Sequence, residues 1–531
     1  MSNDQSSASS VCEDTQVEQV LIVGGGTAGW ITAAKLAKEL NSKNPQSVQI
    51  TLVESPDIPI IGVGEGTWPT MRKTLESLGI DEGEFMRECD ATFKQATKFV
   101  NWKETPTTNK DHHYYHLFGS VFNPEEFNLS PYWEMGLAGE GVSYAQAIGT
   151  LGEVCELGLG PKKITTPAYQ GLQNYAYHLN AGKFSEFLRK HAVQKLGVKH
   201  LKANVTQVNL DDQGFIESVD TDAEGRLSAD FFVDCTGFRS LLLGESLGVK
   251  FKNINDVLLN DTAVVIQVPY ENKDTPILPY TTSTAQECGW IWDIGLKDRR
   301  GIGYVYSSAH TTHERADEVL RDYVGPQSEP LMSRKIDMKI GYREKYWHKN
   351  CLAVGMSAAF IEPLEASAIF LVEAAGNMLC DQFPRTRVEM AAVEKKFNRS
   401  FHFRWQKSIE FIKMHYMLSK RDDNAYWLDS RNPASASDSL LELLDHWRTH
   451  PPSRYDFDSV FEPFVLESYQ FVLFGMGSDY NYSGKQSHYC HQDMALDKFS
   501  QIRQATAAIT QQLPSHRDLI EKVYKHGISR V

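Results

Sequence analysis

Gly24, Gly26 and Gly29 follow a short apolar run, residues 20–23, and precede residues 31–40, whose apolar side chains recur at helical spacing. In that setting the first glycine permits a tight strand-to-helix turn. The second lets backbone N–H groups approach a pyrophosphate at the positive helix end, and the third lets helix and strand pack closely. Thr27 and Ala28 lie in the same turn, and a second apolar strand, residues 49–54, ends in Glu54, about where a ribose hydroxyl is met. Strand, turn, helix, strand and acid in that order predict a nucleotide cofactor on a Rossmann-like α/β fold.

Other residues of chemical interest leave more open. Lys94 stands beside Phe93 within residues 72–102, which read as helix, with Cys89, Phe93, Ala96 and Val100 at apolar spacing. From that pattern alone it is a solvated helix-face residue. Trp290 and Trp292 fall on one face if residues 289–295 form a strand, either as core or as the wall of a tunnel. Residues 350–372 read as a strand, a carboxylate-bearing loop of small residues and a helix start, where free amides favour a phosphate or a halide-sized anion. Residues 55–69 form a loop crowded with proline and glycine, a shaped binding surface rather than a helix. Two spots, His112-His113-His116 and His488-Cys490-His491, offer zinc-type donors, but neither has a matching second half, so no metal is expected.

The elements that must hold these residues belong to a chain of 531 residues, 41% hydrophobic, enough for a large core. The net charge of −14 comes without a dense basic cluster, which argues against nucleic acid as a partner. Residues 1–17 are polar and serine-rich, read as a frayed terminus without a signal-peptide core, and no apolar run is long enough to span a membrane. A cytoplasmic protein is expected. The eight cysteines lack paired spacing and read as reduced thiols. Residues 179–196 form an amphipathic helix, residues 198–205 a strand leading toward the cofactor, and residues 227–233 a strand closing on the Asp234-to-Gly237 turn. From Val388 onward the pattern is mainly helical. The expected organisation is residues 18–385 as the cofactor domain and 386–531 as a helical, substrate-side subdomain docked on it.

The glycine turn at residues 24–30, the loop at 62–69, Phe93 and Lys94 with residues 98–102, Trp290-Ile291-Trp292 and Pro363-Leu364-Glu365 occur in one order. Together they resemble the flavin-dependent tryptophan halogenases, over most of the chain. The resemblance implies a two-part, flavin-monooxygenase-type fold. It also implies FAD that arrives as FADH2 from a separate flavin reductase and, with O2 and a halide, yields hypohalous acid, which travels inside the protein to a small aromatic substrate. On that basis Lys94 and Glu365 are the catalytic pair. Ser367 and Ala368 fall where the family binds halide. FAD would be held by Gly24, Gly26, Thr27, Ala28, Gly29, Glu54, Ser55, Ile58, Gly64, Gly66, Val205, Met356 and Ile369. His116, Phe118 and Phe464 would line the substrate pocket, and Trp290 and Trp292 would keep substrate away from flavin.

The sequence departs from the family in three places. Ile294-Gly295 replaces the usual Ile-Pro, and Glu365-Ala366-Ser367-Ala368 replaces Glu-Ser-Thr-Gly, a change of cavity that favours bromide. The stretch from Pro463 keeps only part of the polar and aromatic set that clamps an amino acid, so an indole or another electron-rich aromatic is expected in preference to free tryptophan. A flavin-dependent aromatic hydroxylase, and a flavin-binding homologue without turnover, stay open as alternatives. So does the oligomeric state, a homodimer included.

Overall fold

The computed structural model describes residues 16–41, 47–58, 64–106, 112–119, 127–477, 480–482 and 487–529. The polar terminus at residues 1–15 lies outside them. The apolar run of the glycine motif becomes the strand Gln19–Val23 at the centre of a six-stranded sheet, flanked by Gln49–Glu54 and Phe231–Asp234. Both neighbours run parallel to it, Lys199–Lys202 and Cys351–Ala353 extend the parallel set, and Trp347–His348 closes one edge antiparallel. Helices cover such a sheet on its faces, which explains its near-continuous apolar strands. Thr27–Leu40, which buries Trp30, Ile31 and Leu36, and Ser367–Asp381 are two of these helices.

A seven-stranded sheet carries the other half of the site. Its order is Ser333–Asp337, Thr262–Pro269, Arg299–Tyr306, Gly289–Gly295, Tyr280–Gln286, Ala96–Val100 and His113–Leu117. A three-stranded sheet, Gly64–Gly66, Ala176–Asn180 and Thr92–Lys94, meets it where the chain turns at Gln95. One apolar core runs from Val17 through Phe411 to Ile528. The 32-residue helix Arg387–Leu418 brings Phe411, His415 and Tyr416 into it, and the described C-terminal residues are mainly helical.

The helix expected over residues 72–102 is corrected. Only Thr70–Ser77 and Glu82–Glu88 are helical; Asp90 then takes φ 51°, and the chain runs on as the strands Thr92–Lys94 and Ala96–Val100. The apolar spacing misled because residues 91–97 are buried on both faces, so no period-two alternation shows. The aromatic and β-branched side chains Thr92, Phe93, Thr97, Phe99 and Val100 suit extended backbone. Elsewhere the helix Ala181–Leu196 and the strands Lys199–Lys202 and Phe231–Asp234 lie within the spans read from sequence, give or take a few residues. The described cysteines are free thiols, and among the described residues no helix is long and apolar enough to cross a membrane.

Candidate active site

The carboxyl ends of the parallel strands converge on the glycine turn, the usual ligand edge of an α/β sheet. Gly24 has φ +115°, and a Cβ there would lie 2.2 Å from the Cys235 carbonyl oxygen, while one on Gly29 would lie 2.0 Å from the Gly24 oxygen. A Cβ on Gly26 would meet nothing within 4 Å, so this residue faces open space at the start of the helix Thr27–Leu40, whose first amides receive no side-chain cap. Open space, uncapped amides and a positive helix end fit a pyrophosphate. Thr27 Oγ1 lies 3.0 Å from Ser185 Oγ. Ala28 packs under the turn Gly355–Ser357, which carries the partly exposed Met356. Glu54 lies against Gly25 with its Oε1 2.9 Å from His200 Nε2, and Ser55 donates to Asn204 Oδ1 at 2.6 Å, beside Val205. Ile58 is 74% exposed and Ile369 is buried in the first turn of Ser367–Asp381. Gly64 and Gly66 pair across to Asn180 and His178. The open space at Gly26 and the uncapped amides beside it have the shape and charge to seat a dinucleotide's phosphates.

Lys94 and Ala366, the residue after Glu365, meet at Gly66, and the Glu365 charge acts on the Lys94 ammonium. A Cβ on Gly66 would lie 3.1 Å from Lys94 Nζ and 3.5 Å from Ala366 Cβ. Lys94 is buried, with Nζ 5.1 Å over the centre of the Phe118 ring, and Phe118 N–H donates to the Gln95 carbonyl at 3.0 Å, which fixes that ring beside the lysine. The Glu365 carbonyl accepts from Trp68 Nε1–H at 2.8 Å. Its carboxylate lies between two imidazoles: Oε2 is 2.8 Å from His116 Nδ1 and Oε1 is 2.9 Å from His415 Nε2, the second contact bent away from hydrogen-bond alignment. Phe464 stacks on Phe411 at 3.8 Å and meets Trp68 at 4.9 Å and His116 at 6.4 Å. Ala366 takes the left-handed φ of 53° that starts the next helix; Ser367 is buried there and Ala368 is exposed.

Trp290 and Trp292 share one face of the strand Gly289–Gly295, with ring centres 6.3 Å apart. Trp290 reaches inward to Glu362, and Trp292 lines a cleft of about 350 Å³ with Gly64, Gly301 and Arg334. Of the two histidine-rich spots, only His116 enters the site. His113 turns outward to Glu156, and His488, Cys490 and His491 are exposed. No group of three metal-ligating side chains occurs among the described residues.

The family model described as tryptophan halogenase matches residues 19–490. The chain belongs to the tryptophan halogenase family. It is 43% identical to a tryptophan halogenase from Shewanella frigidimarina of known crystal structure, with a TM-score of 0.93 over 97% of this chain and 99% of that one. Tar14, a tryptophan C-6 flavin-dependent halogenase (chlorinase) from taromycin biosynthesis, is 38% identical with a TM-score of 0.88 over 95% and 99% of the two chains. Tryptophan 7-halogenase RebH of Lentzea aerocolonigenes is 35% identical over 87% of this chain and 90% of its own.

The protein is thus an enzyme, a flavin-dependent halogenase. In this halogenase, burial pushes the Lys94 ammonium down, and the Glu365 charge only partly restores it, leaving its pKa at about 8. Burial pushes the Glu365 carboxyl up, but the charge and hydrogen bond of His116, with His415 beside it, outweigh burial and hold it at about 2. Glu365 is therefore a carboxylate, and His116 Nδ1–H donates to it. Two participants were not singled out from sequence. His415 reads as a core histidine because it sits in the long aromatic stripe of its helix, and Glu362 as one more acid in a loop; Glu365 three residues on was the available signal.

Proposed function

We propose that this halogenase takes reduced FAD from a separate flavin reductase, uses O2 and halide to form hypohalous acid, and halogenates an electron-rich aromatic such as an indole, with bromide preferred. Bound at the glycine turn, reduced flavin would supply two of the four electrons that O2 takes up and the halide the other two, so that hypohalous acid and water form. Lys94 then holds the hypohalous acid, its ammonium donating a hydrogen bond to the oxygen and polarising the oxygen–halogen bond. Glu365, kept ionised, stabilises the cationic ring and accepts the proton that leaves the halogenated carbon. Phe118, His116 and Phe464 bind the ring by its faces, while Trp290 and Trp292 keep substrate from the flavin.

The observation that carries this proposal is that buried Lys94 lies at Gly66 against the loop residue Ala366, next to buried Glu365 whose charge acts on it, with aromatic rings around both. Ring-only recognition is supported by the stretch after Pro463, where Gln470 accepts from Tyr144 O–H at 3.2 Å and donates to the Pro452 carbonyl at 3.2 Å, so its amide is engaged in packing. Free tryptophan is accordingly a poor substrate. Bromide fits because it is the more readily oxidised halide and because Ala366 and Ala368 give this loop its own shape. The test is turnover of indole, tryptophan and phenol with a flavin reductase in equimolar bromide and chloride. Brominated indole should dominate, and fast, regioselective chlorination of tryptophan would contradict the proposal.

A further inference from the structure

Glu362 is 1% exposed and lies three residues before Glu365. Its Oε2 accepts three hydrogen bonds: from Trp290 Nε1–H at 2.7 Å, from Asn260 Nδ2–H at 2.7 Å and from Tyr416 O–H at 2.8 Å. Its Oε1 is buried without a partner. All three donors are neutral. The nearby Lys413 ammonium instead donates to the Val257 and Ser430 carbonyls and to Ser435 Oγ.

A buried carboxylate without a hydrogen-bonded cation, and with one oxygen unmatched, is an expensive way to fill space, and a well-packed apolar side chain would serve stability better. What the carboxylate gains is geometry, because three donors from three distant parts of the chain meet on one atom. Trp290 belongs to the strand Gly289–Gly295, Asn260 precedes the strand Thr262–Pro269, and Tyr416 lies in the last turns of the helix Arg387–Leu418. The adjacent residue of that helix, His415, faces Glu365, so two consecutive side chains contact both loop carboxylates, with Pro363 stiffening the backbone between them.

We propose that Glu362 is a positioning residue: its carboxylate locks the Trp290 indole to the loop bearing Glu365, so that the barrier beside the flavin and the carboxylate at the substrate keep one fixed spacing. The proposal rests on the halogenation proposed above and adds to it a coupling role. When the clamp is lost, hypohalous acid escapes before it meets the ring, although flavin oxidation continues.

The test compares Glu362→Ala, Glu362→Gln and Trp290→Phe with the unsubstituted enzyme. One arm measures halogenated product per flavin oxidised, with an external thiol trapping released hypohalous acid. The other follows the Trp290 indole N–H in the protein without flavin, by hydrogen exchange of 15N-tryptophan-labelled protein, the resonance being assigned by its loss in Trp290→Phe. In Glu362→Ala the indole N–H should exchange about tenfold faster or more. Product per flavin should fall about fivefold or more, with KM for the aromatic within about threefold. In Glu362→Gln the amide oxygen can take the three donors, and both readouts should return to within about twofold of the unsubstituted enzyme. Unchanged exchange and coupling in Glu362→Ala, or a Glu362→Gln as uncoupled as Glu362→Ala, would overturn the clamp. If the unsubstituted enzyme gives no halogenated product with any aromatic tried, the proposed function fails, and the indole N–H arm alone decides whether Glu362 clamps Trp290.

Discussion

His116 Nδ1 lies 2.8 Å from Glu365 Oε2, joining the edge strand His113–Leu117 of the seven-stranded sheet to the loop before the helix Ser367–Asp381. A single hydrogen bond thus ties the proposed substrate wall to the proposed catalytic carboxylate. The charge on Glu365 is kept by its imidazole neighbours against burial, and this has a pH signature. Its folded pKa of about 2 is below the unfolded value of about 4.3, so its stabilising contribution is complete above about pH 4.3 and is lost as pH falls through about 2. Thermal melts between pH 5 and 2 should show the unsubstituted enzyme losing stability more steeply than Glu365→Gln.

The same substitution should slow chemistry more than binding. Glu365→Gln keeps the shape of the side chain but removes the base and the charge beside the ring, so kcat for halogenation should fall about 10²- to 10³-fold with a small change in KM. Steady-state assays with saturating reduced flavin measure both constants.

Lys94 shares the direction of the pH slope but not the contribution, because its buried ammonium destabilises the folded state. Its folded pKa of about 8 lies below the unfolded value of about 10.4, so in the pH range between them the unfolded chain binds more protons, and stability rises with pH there. The penalty for burying the ammonium is fully present below about pH 8. Lys94→Met should therefore stabilise the protein at pH 7, by up to about 3 kcal/mol, and flatten stability between pH 8 and 10. Urea unfolding at several pH values tests this.

Two neighbouring glycines should separate binding from folding. Gly26→Ala meets no atom within 4 Å, so it should fold and melt like the unsubstituted protein while weakening FAD, because the new methyl occupies the open cradle. Gly29→Ala would press on the Gly24 carbonyl at 2.0 Å and should cost about 2–3 kcal/mol of stability. Flavin titration alongside thermal melts distinguishes the two.

Gly66 offers a finer probe. A methyl there would sit 3.1 Å from Lys94 Nζ, against the flexible end of a side chain, so Gly66→Ala should fold but displace the ammonium. Halogenation should fall about tenfold or more, as misplacement of a catalytic group by a fraction of an ångström costs rate steeply.

The cofactor half of the site was legible because its chemistry is local. The run Gln19–Val23, the glycines and Glu54 are contiguous enough for spacing alone to give strand, turn and helix. Lys94 was not legible from pattern, since its strand is buried on both faces and its apolar residues happen to repeat at helical spacing. Its placement opposite Glu365 depends on a corner at Gln95 between two sheets, which no local period encodes. His415 and Glu362 were hidden for a related reason: one lies in an aromatic stripe and the other beside a second acid in a loop, and the role of each exists only through partners more than 40 residues away.

The most direct test is a single turnover of reduced FAD, O2, bromide and indole with Lys94→Ala beside the unsubstituted enzyme, following flavin oxidation by absorbance and product by mass spectrometry. Equal rates of flavin oxidation, with brominated indole from the unsubstituted enzyme and essentially none from Lys94→Ala, are expected. Equal yields of brominated indole from the two proteins would contradict the assignment of Lys94 as the residue that delivers the halogen.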